Sequence, residues 1–262
     1  MPRANRYFVS GYVWHITHRC HKQEFLLKFV RDRKQWIHWL FEAKKRFGLT
    51  VLNYAVTSNH IHLLVRDTGK DVIPNSMQLI AGKVAQQYNQ RKKRRGAFWE
   101  DRYHATAVDT GGHLYQCLVY IDMNMVRAGV VKHPHGWATG GYHEIQNPRD
   151  RYGIVDHESL ARLLRFHGVS ELQKQHSQWI DEALHENSLA REAKWSQSIA
   201  VGSESFVNQF VDTVNPEISK GKTTTVGESF VVREPSISYS ALSDSKMGLL
   251  SPPNTLSWDL SL

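Results

Sequence analysis

The chain has 262 residues, enough for one sizeable core with an appendage, and its 41% hydrophobic and 11% aromatic content is that of a globular protein. No apolar run is long enough to span a bilayer, the opening MPRANRYFVSGYVW has no secretory core, and two cysteines, Cys20 and Cys117, can build neither a disulfide framework nor a four-thiolate zinc site; reduced thiols in the cytoplasm are expected. The net charge of +8 is uneven: residues 1–150 hold 23 Lys+Arg against 11 Asp+Glu and residues 151–262 hold 10 against 14, so the front part is expected to bind a polyanion.

Residues 7–18 are rich in β-branched and aromatic side chains and read as a strand. Phe29, Trp36, Leu40, Ala43 and Phe47 then recur at helical spacing, with Gly48 where a helix would stop. Two short strands, 50–57 and 60–66, follow with Ser58-Asn59 as a turn. A second helix opens near Pro74-Asn75, carries Met77, Ile80, Val84 and Tyr88 on one face, and runs into a basic block ended by Gly96. Residues 97–108 read as a fourth strand, and a third helix runs from about 112 to 127, closed by Gly129. The order strand, helix, strand, strand, helix, strand predicts an α+β fold with a ferredoxin-like (RRM-like) antiparallel sheet, its two crossover helices on one face and the third helix available for the other. Beyond Trp137 the signal weakens. Residues 133–153 look like a loop, 158–166, 170–185 and 190–201 (continuing to 211) like helices, and 214–262 like a flexible Ser/Thr-rich tail. The expected division is a catalytic domain over 1–145, a small helical region over 146–213 and the tail.

Side chains alternate along a strand, so His60 and His62 point to one face and are compatible with sharing a divalent cation; two polar residues on a solvated sheet face satisfy the same pattern. In the third helix, Leu114, Cys117, Leu118, Ile121 and Met125 form an apolar stripe. Tyr120 and Asn124 fall together on one flank, one turn apart, and Tyr115 on the other. Packed on the open face, this helix would bring a phenol and an amide near the histidine pair. His15 and His18 crowd around Cys20 with His21, but their spacing turns them to opposite faces, and a sheet-surface role is the expectation for both. His133 and His135, in a loop with Pro134, read as surface residues.

The stretch Asn59-His-Ile-His-Leu-Leu-Val65 resembles the HUH motif of single-tyrosine transposases, and Tyr120-Ile-Asp-Met-Asn-Met-Val-Arg-Ala-Gly129 resembles the tyrosine helix of the REP-associated tyrosine transposases. The opening strand through 15–19, Tyr88-Asn89 and Phe98-Trp-Glu-Asp-Arg-Tyr103 resemble the same family, in the same order, over about residues 7–145. Two positions depart from its pattern: Met125 follows Asn124 where proline is usual, and Thr57-Ser58 stand where Met-Pro is usual.

The resemblance implies a metal-dependent transposase that nicks and joins DNA. Tyr120 would be the nucleophile, forming a 5′-phosphotyrosine, and His60, His62 and Asn124 would hold Mg2+ or Mn2+, a choice that suits two nitrogens and an oxygen. The substrate would be single-stranded or hairpin DNA, the location the cytoplasm in association with the nucleoid, with no membrane partner, and the state a monomer or homodimer. Arg91, Lys92, Lys93, Arg94 and Arg95 are candidate phosphate contacts, as are Arg102 and Arg19, with Lys22 weaker. Trp99, Arg102 and Tyr103 suit either stacking on unpaired bases or core packing, Trp99 leaning to the core. Two other functions remain open at this level: a catalytically idle DNA-binding regulator of repeat elements, and an RNA-binding module, which shares the strand order but leaves the histidine pair unexplained.

Overall fold

The computed structural model describes residues 8–186, 192–214, 223–227 and 229–233. In chain order the elements are β1 (Val13–Arg19), α1 (Val30–Phe47), β2 (Thr50–Val56), β3 (His60–Arg66), α2 (Val72–Lys92), β4 (His104–Val108), α3 (Gly112–Asp122), α4 (Asn124–Arg127), α5 (Tyr142–Gln146), α6 (His157–Leu163), α7 (Val169–His185), α8 (Lys194–Gln197), β5 (Ala200–Gly202), α9 (Glu204–Val214), β6 (Thr223–Val226) and β7 (Ser229–Val232). The first four strands form the expected ferredoxin-like sheet in the order β2-β3-β1-β4, all antiparallel, with β1 between β3 and β4.

Strand alternation divides the sheet into two chemically different faces. Ile16, Ile61, Leu63 and Val65 belong to one face and are fully buried, joining the core with Trp36 and Leu40 of α1 and Met77 and Ile80 of α2. The opposite face carries His15, His60, His62, Thr106 and Asn53, and α3 lies over it: the Asn53 amide donates to Asp122 at the end of α3 at 3.0 Å. Asp122 also accepts from His176 of α7 at 2.8 Å, so a buried polar network fixes the helix over the sheet and satisfies its own groups. The expected glycine stops are present. Gly48 and Gly129 both take positive φ, +69° and +67°, where a β-carbon is strained, and each N–H returns to a carbonyl of the helix just ended.

Several expected elements differ. The opening strand begins at Val13, and residues 1–7 lie outside the described residues. The fourth strand is shortened to His104–Val108, because the chain bends at 100–102 and only Trp99 pairs back, in a single bridge to Cys20. The third helix breaks at Met123 into α3 and α4, although N–H groups still reach back across the break, from Met123 to Val119 and from Arg127 to Met123. The stretch 133–153, read as a loop, contains α5.

The largest difference lies beyond residue 192. The helix expected over 190–201 is only four residues, and its place is taken by β5, which adds to β4 in parallel (Ala107 opposite Ala200). The stretch read as a loose tail supplies β6 and β7, so the sheet extends to β2-β3-β1-β4-β5-β7-β6; positions 215–222, 228 and 234–262 lie outside the described residues. Short strands like these carry too few residues for a periodic signal and are stabilised by the sheet edge they complete. Among the described residues, no helix is long and apolar enough to cross a membrane.

Candidate active site

The helix geometry of α3 and α4 and the register of β1, β3 and β4 converge on one pocket of about 640 Å³, whose lining includes His60, His62, Tyr120, Asn124, Arg19 and Arg102. The four residues expected to act together are therefore together, and all four belong to one chain. The rings of His60 and His62 are 5.0 Å apart, centroid to centroid, and that of Tyr120 is 5.8 Å from His62. Asn124 Nδ2 lies 2.9 Å from His62 Nε2. Tyr115 turns away, as its flank of the helix requires, and packs against Trp179 of α7 at 4.8 Å.

Hydrogen bonds define which nitrogen of each histidine carries the proton. Asn59 donates its amide to the Gln23 carbonyl, so its Oδ1 faces His60 Nδ1 at 2.8 Å as an acceptor. The Thr57 hydroxyl donates to the His60 carbonyl and accepts at 3.0 Å from the same Nδ1. His60 is thus protonated on Nδ1, which leaves the lone pair on Nε2. Thr57, one of the two departures from the family pattern before the motif, is a direct support of His60.

His62 is supported differently. Its Nδ1 lies 2.9 Å from Nε2 of His15, whose own Nδ1 lies 2.9 Å from the Trp195 carbonyl. His15 is fully buried and His18 is 6% exposed, so neither is the sheet-surface residue expected from spacing. Strand β1 is central, and both its faces are covered. Burial is the main cause that pushes the His15 pKa down to about 3, outweighing the Trp195 carbonyl, which favours the charged form. His18 stacks on Trp99 at 4.1 Å and donates Nε2–H to the Asp101 carbonyl. The Trp99 indole donates to the Ala81 carbonyl at 3.0 Å, in keeping with a packing role.

The residues present fit a divalent cation. Two imidazoles on adjacent same-face positions each offer Nε2 as the unprotonated nitrogen, and rotation of the Asn124 amide would bring its Oδ1 to where Nδ2 meets His62. Among the described residues, no group of three or more His, Cys, Asp and Glu side chains is arranged for a metal.

One participant escaped the sequence reading. The Arg127 guanidinium lies over the Tyr120 ring, 4.1 Å from its centroid, and donates to the Tyr120 carbonyl at 2.6 Å. Burial lowers its pKa, while the neighbouring Tyr120 favours the charged form. Its position one turn beyond Asn124, two turns from Tyr120, was the available signal.

The basic block divides by role. Arg91 pairs with buried Asp32, and Arg94 is engaged by Asn89, the Ala97 carbonyl and Glu24. Lys92, Lys93 and Arg95 are exposed, with Lys92 5.2 Å from the centre of the Phe29 ring. Phe25 and Phe29 are 65% and 56% exposed, uncommon for phenylalanine, and Phe29 stands beside this block. Arg19 and Arg102 are exposed at the pocket itself, and Arg19 faces Glu100 at the long distance of 4.0 Å.

Residues 8–124 match the family model described as "Transposase IS200 like". Among solved structures, one described as the REP-associated tyrosine transposase bound to a REP hairpin is similar at 18% identity and a TM-score of 0.47, over 60% of this chain and 94% of that one. A second, a putative transposase from Deinococcus radiodurans, is similar at 16% identity and a TM-score of 0.33, over 45% and 92%. No curated protein matches the chain in sequence.

Proposed function

We propose that the chain is a metal-dependent tyrosine transposase that nicks and rejoins single-stranded DNA, with hairpin-forming repeats as the substrate implied by its motifs. The observation that carries this reading is the 2.9 Å approach of Asn124 to His62 in the pocket that also holds Tyr120. The Tyr120 oxygen attacks phosphorus, the P–O3′ bond breaks, and the products are a 5′-phosphotyrosine and a 3′-hydroxyl. The phenolic proton is lost to water and the departing O3′ takes one up, so the step is balanced. The ester energy is kept in the phosphotyrosine, and rejoining requires no nucleotide. His60, His62 and Asn124 would hold Mg2+ or Mn2+, which when bound polarises the phosphate and steadies the departing oxygen.

A phenol ordinarily loses its proton near pH 10, so charge developing on it needs a partner. Arg127, fixed over the Tyr120 ring, supplies a cation that needs no reorganisation when the reaction begins. Arg19 and Arg102 at the pocket, with Lys92, Lys93 and Arg95 beyond it, offer phosphate contacts, and Phe25 and Phe29 offer faces on which unpaired bases stack. Because all four reacting side chains come from one chain, a monomer contains a whole site, and a homodimer would contain two.

The test is incubation with labelled single-stranded hairpin DNA and Mn2+ or Mg2+, followed by a denaturing gel. A covalent adduct that is absent in Tyr120→Phe is the expected result. Tight binding with no adduct under either metal would overturn the enzymatic reading in favour of a DNA-binding regulator.

A further inference from the structure

Behind His62 runs a line of hydrogen bonds that ends outside the segment matched to the transposase family. A carbonyl oxygen only accepts, so the 2.9 Å contact at Trp195 requires a hydrogen on His15 Nδ1. His15 is completely enclosed, and an unpaired imidazolium there is costly, so the ring is neutral and its Nε2 carries the lone pair. That nitrogen meets His62 Nδ1 at 2.9 Å, and His62 must therefore donate. Only Nε2 of His62 is left as acceptor, and it is the atom that faces Asn124. The donors thus point one way, from Asn124 to His62 to His15 to Trp195.

The far end of the line is itself anchored. The Ser198 carbonyl accepts from the Thr106 hydroxyl at 2.6 Å and from His104 Nε2 at 3.0 Å, and the chain then enters β5, paired to β4. Trp195 is fully buried, which holds its backbone against the sheet.

We propose that His15 and the Trp195 backbone are positioning groups of the active site, holding His62 with Nδ1 protonated and Nε2 presented as the ligand nitrogen, and that residues 192–202 are consequently part of that site. This rests on the proposed function only for the final point, that His62 Nε2 receives a metal. A ligand histidine commonly donates its second nitrogen to a carboxylate, carbonyl or water. Here a neutral histidine is interposed, and the orienting carbonyl belongs to a segment seventy positions beyond the tyrosine helix.

Two measurements separate the relay from the metal reading. In the metal-free wild-type protein at pH 7, long-range proton–nitrogen correlation spectra of the histidine rings should show His15 and His62 both as the Nδ1-protonated tautomer. A His62 protonated on Nε2, or a charged His15, would overturn the proposal whatever the metal affinity. The second measurement is Mn2+ binding followed by electron paramagnetic resonance in His15→Phe and His15→Gln. Removal of the ring nitrogens in His15→Phe should weaken Mn2+ about 10–100-fold, while His15→Gln, which can accept and donate along the same line, should recover much of it. Thermal unfolding and hairpin binding in EDTA report whether each variant is folded. Folded His15→Phe with Mn2+ affinity within about twofold of wild type would sink the positioning role. Absence of Mn2+ binding in the wild type would defeat the metal reading, and the tautomer spectra would still decide the relay.

Discussion

Asn124 and His62 face each other across 2.9 Å through the two atoms on which a shared ligand would converge, the amide end of one and Nε2 of the other. The contact joins the start of α4 to β3, and Asn124 stays one turn from Tyr120 across the helix break at Met123.

Substitution at Asn124 should separate metal binding from folding. Asn124→Leu removes the oxygen donor and is expected to weaken Mn2+ by roughly one to two orders of magnitude, measured by calorimetric titration. Asn124→Asp offers a full carboxylate to the cation and should bind Mn2+ more tightly than Asn124→Leu. Equal affinities in the two variants would remove Asn124 from the ligand set.

The two tyrosines of α3 should behave oppositely. Tyr120→Phe is expected to abolish the covalent adduct with little change in hairpin affinity. Tyr115→Phe keeps the ring packed on Trp179 and should leave adduct formation within about twofold, while Tyr115→Ala should lower Tm through loss of an aromatic contact of about 0.5–1.5 kcal/mol plus its buried area. An adduct that survives Tyr120→Phe but not Tyr115→Phe would reverse the assignment of the nucleophile.

Arg127→Gln keeps a donor toward the Tyr120 carbonyl and removes the charge over the ring. Cleavage should slow by about 10²-fold, with a smaller change in DNA affinity, if the cation stabilises the transition state. A single-turnover rate at saturating DNA measures this, and an unchanged rate would confine Arg127 to a structural role.

The basic block should divide as its contacts do. Replacing Lys92, Lys93 and Arg95 together with alanine should leave Tm nearly unchanged and reduce the salt dependence of single-strand binding by a slope of about 2, from roughly 0.7 per lost phosphate contact. Arg91→Ala should instead cost stability, about 1–3 kcal/mol, by leaving Asp32 buried without its partner. Phe25→Ala and Phe29→Ala, if bases stack there, should each weaken single-strand binding by about 1–3 kcal/mol without loss of Tm.

Acid should destabilise the fold earlier than carboxylate titration alone would. Burial is the leading cause that holds His15, His113, His133 and His143 below the ordinary histidine value. Each is therefore neutral in the folded chain at a pH where the unfolded chain has begun to take up a proton. The stability is fully present above about pH 6.5 and is lost as pH falls through the unfolded value, at most about 1.4 kcal/mol per pH unit for each such group. Urea unfolding at pH 7.5 and pH 5.5 should show a lower midpoint at pH 5.5, and equal midpoints would contradict these directions.

The split βαβ order was legible because α1 and α2 carry their apolar residues at regular spacing and because β1 to β4 are dense in β-branched and aromatic residues. The four-residue pocket was legible for a narrower reason: strand alternation and helix rotation each relate residues only a few positions apart, and the family motifs supplied the docking between them. His15 was not legible as a site residue, since its role depends on a carbonyl 180 positions away. Neither was β5, three residues long, whose strand character comes from the parallel edge of β4. Arg127 was within reach of helix geometry but lay beyond the pair that the motif drew attention to.

The parallel addition of β5 to β4 also has a temporal meaning. During synthesis, His60, His62, Tyr120 and Asn124 leave the ribosome well before Trp195, by an interval of about 4–14 s at roughly 5–20 residues per second. For that time the nascent chain holds all four pocket side chains but lacks the Trp195 carbonyl that meets His15. On the proposed role of His15, an interrupted translation product ending before Trp195 is expected to bind Mn2+ more weakly than the finished chain.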